Sequence, residues 1–342
     1  MRLIDSHFHW WPRSIWNALC ERKGFPHAER NGEGYRYYRS AGPQPPGLNP
    51  WPEWFDLDKQ FEYMNSFGYE ASVFGSIGPF SVHFSELPVS EGREAAIQWN
   101  EEMAGAQRKY PGKFWGSAAV PLVDTAVALE VLEDAIFRLG LKGVNLPGSV
   151  GSDPRIDHPR LEPFYDRVEA LDLPMFLHPT DAVFADMLSA EYGGALHLSL
   201  GRVIEVSTSA MRLVFSGVME RHPNLKLVMS HTGGALPYQA GRMDKNGKAA
   251  KLPEKPSTYL KRIYTDTVNP SAIGMKFAVE FFGADHVMYG DDYPCWDPAA
   301  ALEFIDEAGF SPEIKEKIFS TNARRILRLD EPLQIREPAL VS

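Results

Sequence analysis

The chain predicts an α/β fold, a (β/α)8 TIM barrel with a long insertion after its first strand, and three observations lead there. Short apolar, β-branched runs alternate about eight times with segments of helical periodicity. Histidines and aspartates recur where those runs end, which is where such a barrel carries its chemistry. A length of 342 residues suits one barrel with insertions.

The predicted strands are Leu3–Ser6, Ala71–Gly75, Phe114–Pro121, Gly143–Leu146, Pro174–His178, Leu225–His231, Ile263–Thr267 and Val287–Gly290. Between them, Thr125–Leu139 (TAVALEVLEDAIFRL) places apolar residues at helical spacing and stops at Gly140, which suits the left-handed position past a helix end. Pro159–Leu171 and Ser271–Phe282 behave similarly, and Ser311-Pro312 opens the last helix as N-cap and first-turn proline. An open doubly wound sheet is the structural competitor. No Gly-rich phosphate fingerprint follows an early strand, which weakens its dinucleotide-binding version. One barrel is expected over 1–330, with a short tail over 331–342. Residues 10–55 form a long aromatic, proline-rich loop, and loops of that length are usually functional, so it reads as a lid.

The bulk properties narrow the partners. Hydrophobic residues make up 44% of the chain and charged ones 23%, which leaves room for a large core. The formal net charge is -10 and no Lys/Arg-rich run occurs, which argues against nucleic acid or an acidic membrane. No stretch approaches the ~20 apolar residues that span a bilayer. Asp5, His7 and His9 interrupt any secretory pattern at the start. Cys20 and Cys295 cannot build a disulfide framework, so a cytoplasmic location is expected.

The opening MRLIDSHFHWW sets His7 and His9 two residues apart at a strand end, where both side chains share a face. His178 ends strand five in LPMFLHPT, His231 ends strand six in LKLVMSHTGG, and Asp291 and Asp292 end strand eight in HVMYGDDYP. One histidine at a strand end is ordinarily just a hydrogen-bonded residue; the convergence of four histidines and an acidic pair on one rim carries the reading. Three nitrogens and a carboxylate suit one divalent transition metal, with Zn2+ the first expectation and Mn2+ or Fe2+ open by ligand type. His27, His83, His158, His197, His222 and His286 fall in loops, insertions or strand starts. Of these, His222 in RHPNL reads as a helix-end residue favoured by the local dipole, and His197 follows strand five closely enough to reach the mouth. Asp266 in YTDT ends strand seven, as a hydrogen-bonding or a catalytic group. Gly233-Gly234 is either a plain turn or a place where substrate approaches the backbone. Cys295 falls near the pocket, but no Cys–His spacing marks it as a nucleophile. Trp10 and Trp11 are read as substrate-facing aromatics of the lid, with packing as the alternative.

DSHFH at the start, LHP at His178, SHTGGALPYQAGR from Ser230 to Arg242 and GDDYP from Gly290 resemble the amidohydrolase superfamily. Within it they are similar to aminocarboxymuconate-semialdehyde decarboxylase and the hydroxybenzoate (resorcylate-type) decarboxylases. AAVPLVDTAVALEVLEDAIFRLGLKGVNL, LVFSGVMERHPNLKLVMSH and NARRIL extend the resemblance to about Leu329; it is weakest over Trp10–Trp54.

The resemblance implies that His7, His9, His178 and Asp292 ligate one metal, with Asp291 only a neighbour. It makes His231 a non-ligand general acid/base, so His231 and Asp292 are the expected catalytic residues. Arg242 matches an arginine that reaches a neighbouring subunit and binds substrate carboxylate, which implies a homodimer. A second arginine is expected in the first loop, where Arg36 and Arg39 stand. No lysine occupies the strand-four place of a carboxylated bridging residue, since Lys142 precedes the strand and Asn145 lies in it. One metal is therefore expected, not two. The implied activity is metal-dependent, non-oxidative decarboxylation of a carboxylated aromatic or muconate-semialdehyde-like acid. The alternative is a metal-dependent hydrolase of a lactone, an amide or a C–C bond. A binding protein that kept the barrel and lost catalysis is the reading from another class, and it requires His231 to be dispensable.

Overall fold

In the computed structural model, residues 2–38, 52–67, 70–74, 84–151, 153–180, 188 and 192–331 are described. Among them the strands are β1 (Arg2–Asp5), β2 (His27–Asn31), β3 (Gly34–Tyr38), β4 (Glu70–Phe74), β5 (Phe114–Trp115), β6 (Val144–Pro147), β7 (Pro174–His178), β8 (Lys226–Met229) and β9 (Tyr264–Thr265). All but the β2–β3 hairpin pair in parallel, in the orders β1-β4-β5 and β6-β7-β8-β9. Every residue of β6 and β7 is buried, as parallel strands covered on both faces require.

Isolated parallel bridges link these sheets. Ala118 pairs with Val144, donating its N–H to Gly143 O at 2.8 Å and accepting from Asn145 N at 2.8 Å. Thr265 pairs with Val287, and Ser6 N donates to Tyr289 O at 2.8 Å. The expected third strand, Phe114–Pro121, is thus shorter than its apolar run. Its backbone is diverted: Asn100 bonds both the N–H and the carbonyl of Ala119, and Gln107 Oε1 accepts from Gly116 N. The expected eighth strand, Val287–Gly290, is a bridge and not a ladder, because Tyr289 N donates to Ile318 O and Gly290 N to Thr267 Oγ1.

The helices between strands start where their caps dictate. Asp124 accepts from Val127 N ahead of Thr125–Glu133, which runs on through a π turn, Asp134–Arg138, and stops before Gly140 at φ 70. Ser271 caps Ala272–Phe282, and Ser311 caps Pro312–Glu316 with proline at its first position. A 3-10 turn, Pro159–Leu161, leads into Glu162–Ala170.

After β1 the chain forms a helix, Arg13–Glu21, and then the β2–β3 hairpin, whose Gly32-Glu33 turn places Gly32 at φ 59. Trp11, Trp16, Tyr35, Tyr37 and Trp54 pack there with no more than 2% exposure each. Arg39 and the rest of 39–51, Gly75, and the tail beyond Glu331 lie outside the described residues. No helix among the described residues is long and apolar enough to cross a membrane.

Candidate metal centre and cleft

Strand ends gather the predicted ligands. His7 and His9 follow β1, His178 closes β7, and Asp292 follows the Val287–Gly290 segment. One donor atom from each of His7, His9, His178 and Asp292 lies within 4.8 Å of the others, and all four residues are buried. His9 Nε2 is 2.7 Å from Asp292 Oδ1, and His7 Nε2 is 3.3 Å from the same oxygen.

The other ring nitrogens decide what faces inward. His7 Nδ1 donates to Asp266 Oδ2 at 2.6 Å, leaving Nε2 buried with no hydrogen-bond partner and aimed at the cluster. His178 Nδ1 donates to Pro179 O at 2.8 Å, which turns its Nε2 the same way. An unsatisfied imidazole nitrogen beside a buried carboxylate is costly unless a proton or a cation completes it. Three nitrogens and one carboxylate therefore fit a divalent metal.

The electrostatics agree. Burial alone lowers His7, but Asp292 and Asp266 outweigh it and raise it to about 10. Burial pushes Asp292 up, yet His7 and His9 hold it well below the carboxylate range. His178 falls well below its ordinary value through burial and the neighbouring imidazoles, and His9 is also lowered by burial. The site thus has the ionisation a metal needs at three of its four ligands, and His7 holds the proton that a cation would displace.

His231 adjoins the four, its ring 5.3 Å from that of His7 and 5.6 Å from that of His178, with Nε2 3.9 Å from Asp292 Oδ2. Burial and the charge on His7 lower it to about 4. His231, Thr232 and Asp292 all take left-handed backbone, at φ 57, 56 and 60, a strain seen at functional sites. Asp266 holds that turn by accepting from His231 N at 3.1 Å and Thr232 N at 2.8 Å. Its role is hydrogen bonding. Asp291 points away: its carboxylate accepts from Tyr289 OH and Tyr293 N, beside a buried Asp5 whose carboxyl is raised by burial and by Asp291.

A cleft of about 690 Å³ opens beside the centre, lined by His231 and Asp292 and also by Arg202, Trp54, Asn269, Cys295 and Trp296. Trp10 and Trp11 do not line it. Trp11 is buried behind Trp54, their rings 4.2 Å apart, and Trp10 Nε1 donates to Phe55 O at 3.3 Å. Trp54 takes the place expected for them, its ring 5.4 Å from that of His9. Arg242 is exposed on the helix Leu236–Asn246 and is not in its own chain's cleft lining. Arg36 is exposed on β3 with its guanidinium 5.3 Å over the Tyr38 ring. Gly234 lines the cleft, and a Cβ there would meet Ser207 Oγ at 2.5 Å, so the glycine serves packing and access together. His197 is buried against Gly201 outside the lining, and His222 ends the helix Val218–Arg221 between Glu162 and Glu169.

Arg202, Trp54, Asn269 and Trp296 were not legible as site residues. Asn269 follows a strand end but carries no charge or ligand nitrogen to mark it, Arg202 and Trp296 stand at no strand end, and only aromatic richness hinted at Trp54.

Comparison with known proteins places this geometry. Residues 4–329 match the family model described as Amidohydrolase. The chain is 27% identical to 2-amino-3-carboxymuconate-6-semialdehyde decarboxylase of Dictyostelium discoideum, over 96% of this chain and 92% of that one. It is 30% identical to gamma-resorcylate decarboxylase of Rhodococcus jostii (strain RHA1), over 70% of this chain and 79% of that one. A crystal structure of dihydroxybenzoic acid decarboxylase from Polaromonas sp. JS666, with bound manganese and the inhibitor 2-nitroresorcinol, superposes with a TM-score of 0.78 at 23% identity, covering 97% of this chain and 98% of that one. With the family model spanning nearly the whole chain and the buried His/Asp cluster at its strand ends, this protein belongs to the amidohydrolase family.

Proposed function

We propose that this protein is a metal-dependent, non-oxidative decarboxylase of a carboxylated aromatic or muconate-semialdehyde-like acid. The observation that carries the reading is the buried cluster of His7, His9, His178 and Asp292, with Asp292 and the neighbouring His231 lining a cleft beside it. Curated relatives along most of the chain are decarboxylases of such acids, which supports it.

The reaction breaks the bond between the carboxylate carbon and the ring or alkene carbon. The electron pair stays on that carbon, a proton replaces the lost group, and CO2 leaves. His7, His9, His178 and Asp292 would hold the metal, which when bound supplies a Lewis acid for substrate oxygens. His231, facing the cleft and lowered to about 4 in the metal-free chain, takes up a proton from the cleft and passes it to the vacated carbon. Trp296, 40% exposed, offers a flat apolar face to a conjugated substrate, and Trp54, buried and stacked on His9, seals the wall behind it against water. Asp266 keeps His7 in its ligand orientation and His231 in its strained turn.

Several finer features belong to the same proposal. The parallel bridges at Ala118, Val287 and Phe8 support closure of the strands into a (β/α)8 barrel over 1–330. The helix and hairpin after β1 support an insertion that walls the cleft through Trp54. A homodimer would bring Arg242 to a partner's cleft; Tyr238, one turn earlier on that helix, is 80% exposed, and Ile273 on the helix packed beside it is 81% exposed. Zinc suits the ligand types, and manganese is the ion in the Polaromonas structure. No disulfide joins Cys20 to Cys295, in keeping with a cytoplasmic protein.

The test is a panel of hydroxybenzoic and muconate-type acids with metal-loaded protein in D2O. CO2 release with deuterium at the vacated carbon is expected. Solvent oxygen-18 in the organic product without CO2 would mean hydrolysis instead.

A further inference from the structure

We propose that Arg202 grips a second acidic group of the substrate, one that survives the reaction, and so selects dianionic aromatic acids. This inference rests on the decarboxylase reading of the cleft.

Arg202 opens the helix Arg202–Phe215 and is half-buried on the cleft wall. Among the described residues lining the cleft it is the cation and Asp292 is the carboxylate. The remaining polar lining is neutral, including Ser199 and Asn269, and Trp296 supplies an exposed ring surface. A wall built to receive only a ring and one carboxylate has no use for a guanidinium beside the indoles. Its five N–H donors allow Arg202 to keep an intramolecular partner and still offer a bidentate edge to a carboxylate.

The chemistry decides which carboxylate it serves. Decarboxylation moves negative charge out of the departing group and into the ring. A cation bonded to the departing carboxylate would stabilise the ground state more than the transition state and slow the reaction. A cation bonded to a retained carboxylate keeps its full interaction throughout and fixes the ring against the metal centre. Arg202 is therefore a binding residue for the group that remains.

The experiment is calorimetric binding of isophthalate and of benzoate to the manganese-loaded protein and its Arg202→Met and Arg202→Lys variants. The unmodified protein is expected to favour isophthalate by about tenfold or more, the usual scale of a charge-assisted bidentate contact. Arg202→Met should erase most of that preference while changing benzoate by less than about twofold; Arg202→Lys should fall between, since an ammonium keeps the charge and loses the fork. Equal affinity of the unmodified protein for the two acids would overturn the inference, and so would an unchanged preference in Arg202→Met. Should Arg202→Met fail to fold, the ratio in the unmodified protein and in Arg202→Lys decides. Binding is read without turnover, so the two proposals fail separately. An Arg202-dependent preference with no CO2 released from any acid would sink the decarboxylase reading alone. CO2 release with no such preference would sink only the role of Arg202.

Discussion

Asp266 Oδ2 accepts a 2.6 Å hydrogen bond from His7 Nδ1, and this contact decides which nitrogen of His7 faces His9, His178 and Asp292. The same carboxylate accepts from the backbone of His231 and Thr232, so one buried residue orients His7 and holds the turn that carries His231. In Asp266→Asn an amide donor can replace the acceptor, and His7 loses its tautomer. Metal affinity should fall about 10- to 100-fold, as for other partners of ligating histidines. Competition with a chelating dye checks it; unchanged affinity would mean that this bond does not orient His7.

Removal of a ligand has a different signature. His178→Ala deletes one of the three nitrogens of the cluster, and the neighbouring His231, its ring 5.6 Å away, is held in its own turn by Asp266. Bound metal and turnover should disappear together, and added metal should not restore activity at concentrations that saturate the unmodified protein. Elemental analysis alongside CO2 release measures both.

His231→Asn should separate the two properties. The side chain sits outside the four-ligand set, so metal content should stay within about twofold while kcat drops about 10²- to 10⁴-fold, the usual scale of a lost acid/base group. Parallel loss of metal would make His231 a ligand. Unimpaired biological activity would favour the non-catalytic binding protein.

Proton linkage gives a pH dependence with a definite sign. His7 is raised to about 10 without metal, so near pH 7.5 it must release a proton to use Nε2 as a ligand. Metal affinity should rise about tenfold per pH unit between pH 7 and 9. Calorimetry in buffers of differing ionisation enthalpy counts the released proton, and a pH-independent affinity contradicts the assignment.

Stability of the chelated protein should vary in the complementary way. For His7 the folded value lies above the unfolded one, so its contribution is complete below about pH 6.5 and fades as pH rises toward 10. His231 is lowered to about 4, so its contribution is complete above about pH 6.5 and is lost as pH falls toward 4. The melting temperature should therefore peak near pH 6.5. A monotonic rise from pH 5 to 9 would show that His7 is not protonated in the metal-free fold.

The clustering of His7, His9, His178 and Asp292 was legible because strand ends are legible. Short, nearly continuous apolar runs announce buried parallel strands, and a histidine or aspartate closing several of them marks one rim, whatever the sequence separation. Caps were equally local: Ser271 and Ser311 announced their helices. What escaped depends on side chains far away in sequence. Nothing in FWGSAAVP reveals that Asn100 occupies the backbone of Ala119, so the strand there is overestimated. The β2–β3 hairpin carried a Gly32-Glu33 signal, hidden within a loop read by its aromatic and proline content. Trp10 and Trp11 drew attention by adjacency to His9, yet the rotation of the chain after β1 buries Trp11 against Trp54 and gives Trp54 the cleft. Arg202 lies in an otherwise amphipathic helix, where a single arginine reads as solvent-facing until the cleft is seen.

The most direct test of the metal centre is elemental analysis of the purified protein and of four single variants, His7→Ala, His9→Ala, His178→Ala and Asp292→Ala, after the same metal loading. About one equivalent of a divalent transition metal is expected in the unmodified chain, with little in any variant. A full complement of metal retained in all four, or none taken up by the unmodified protein, would contradict a cation held by these side chains.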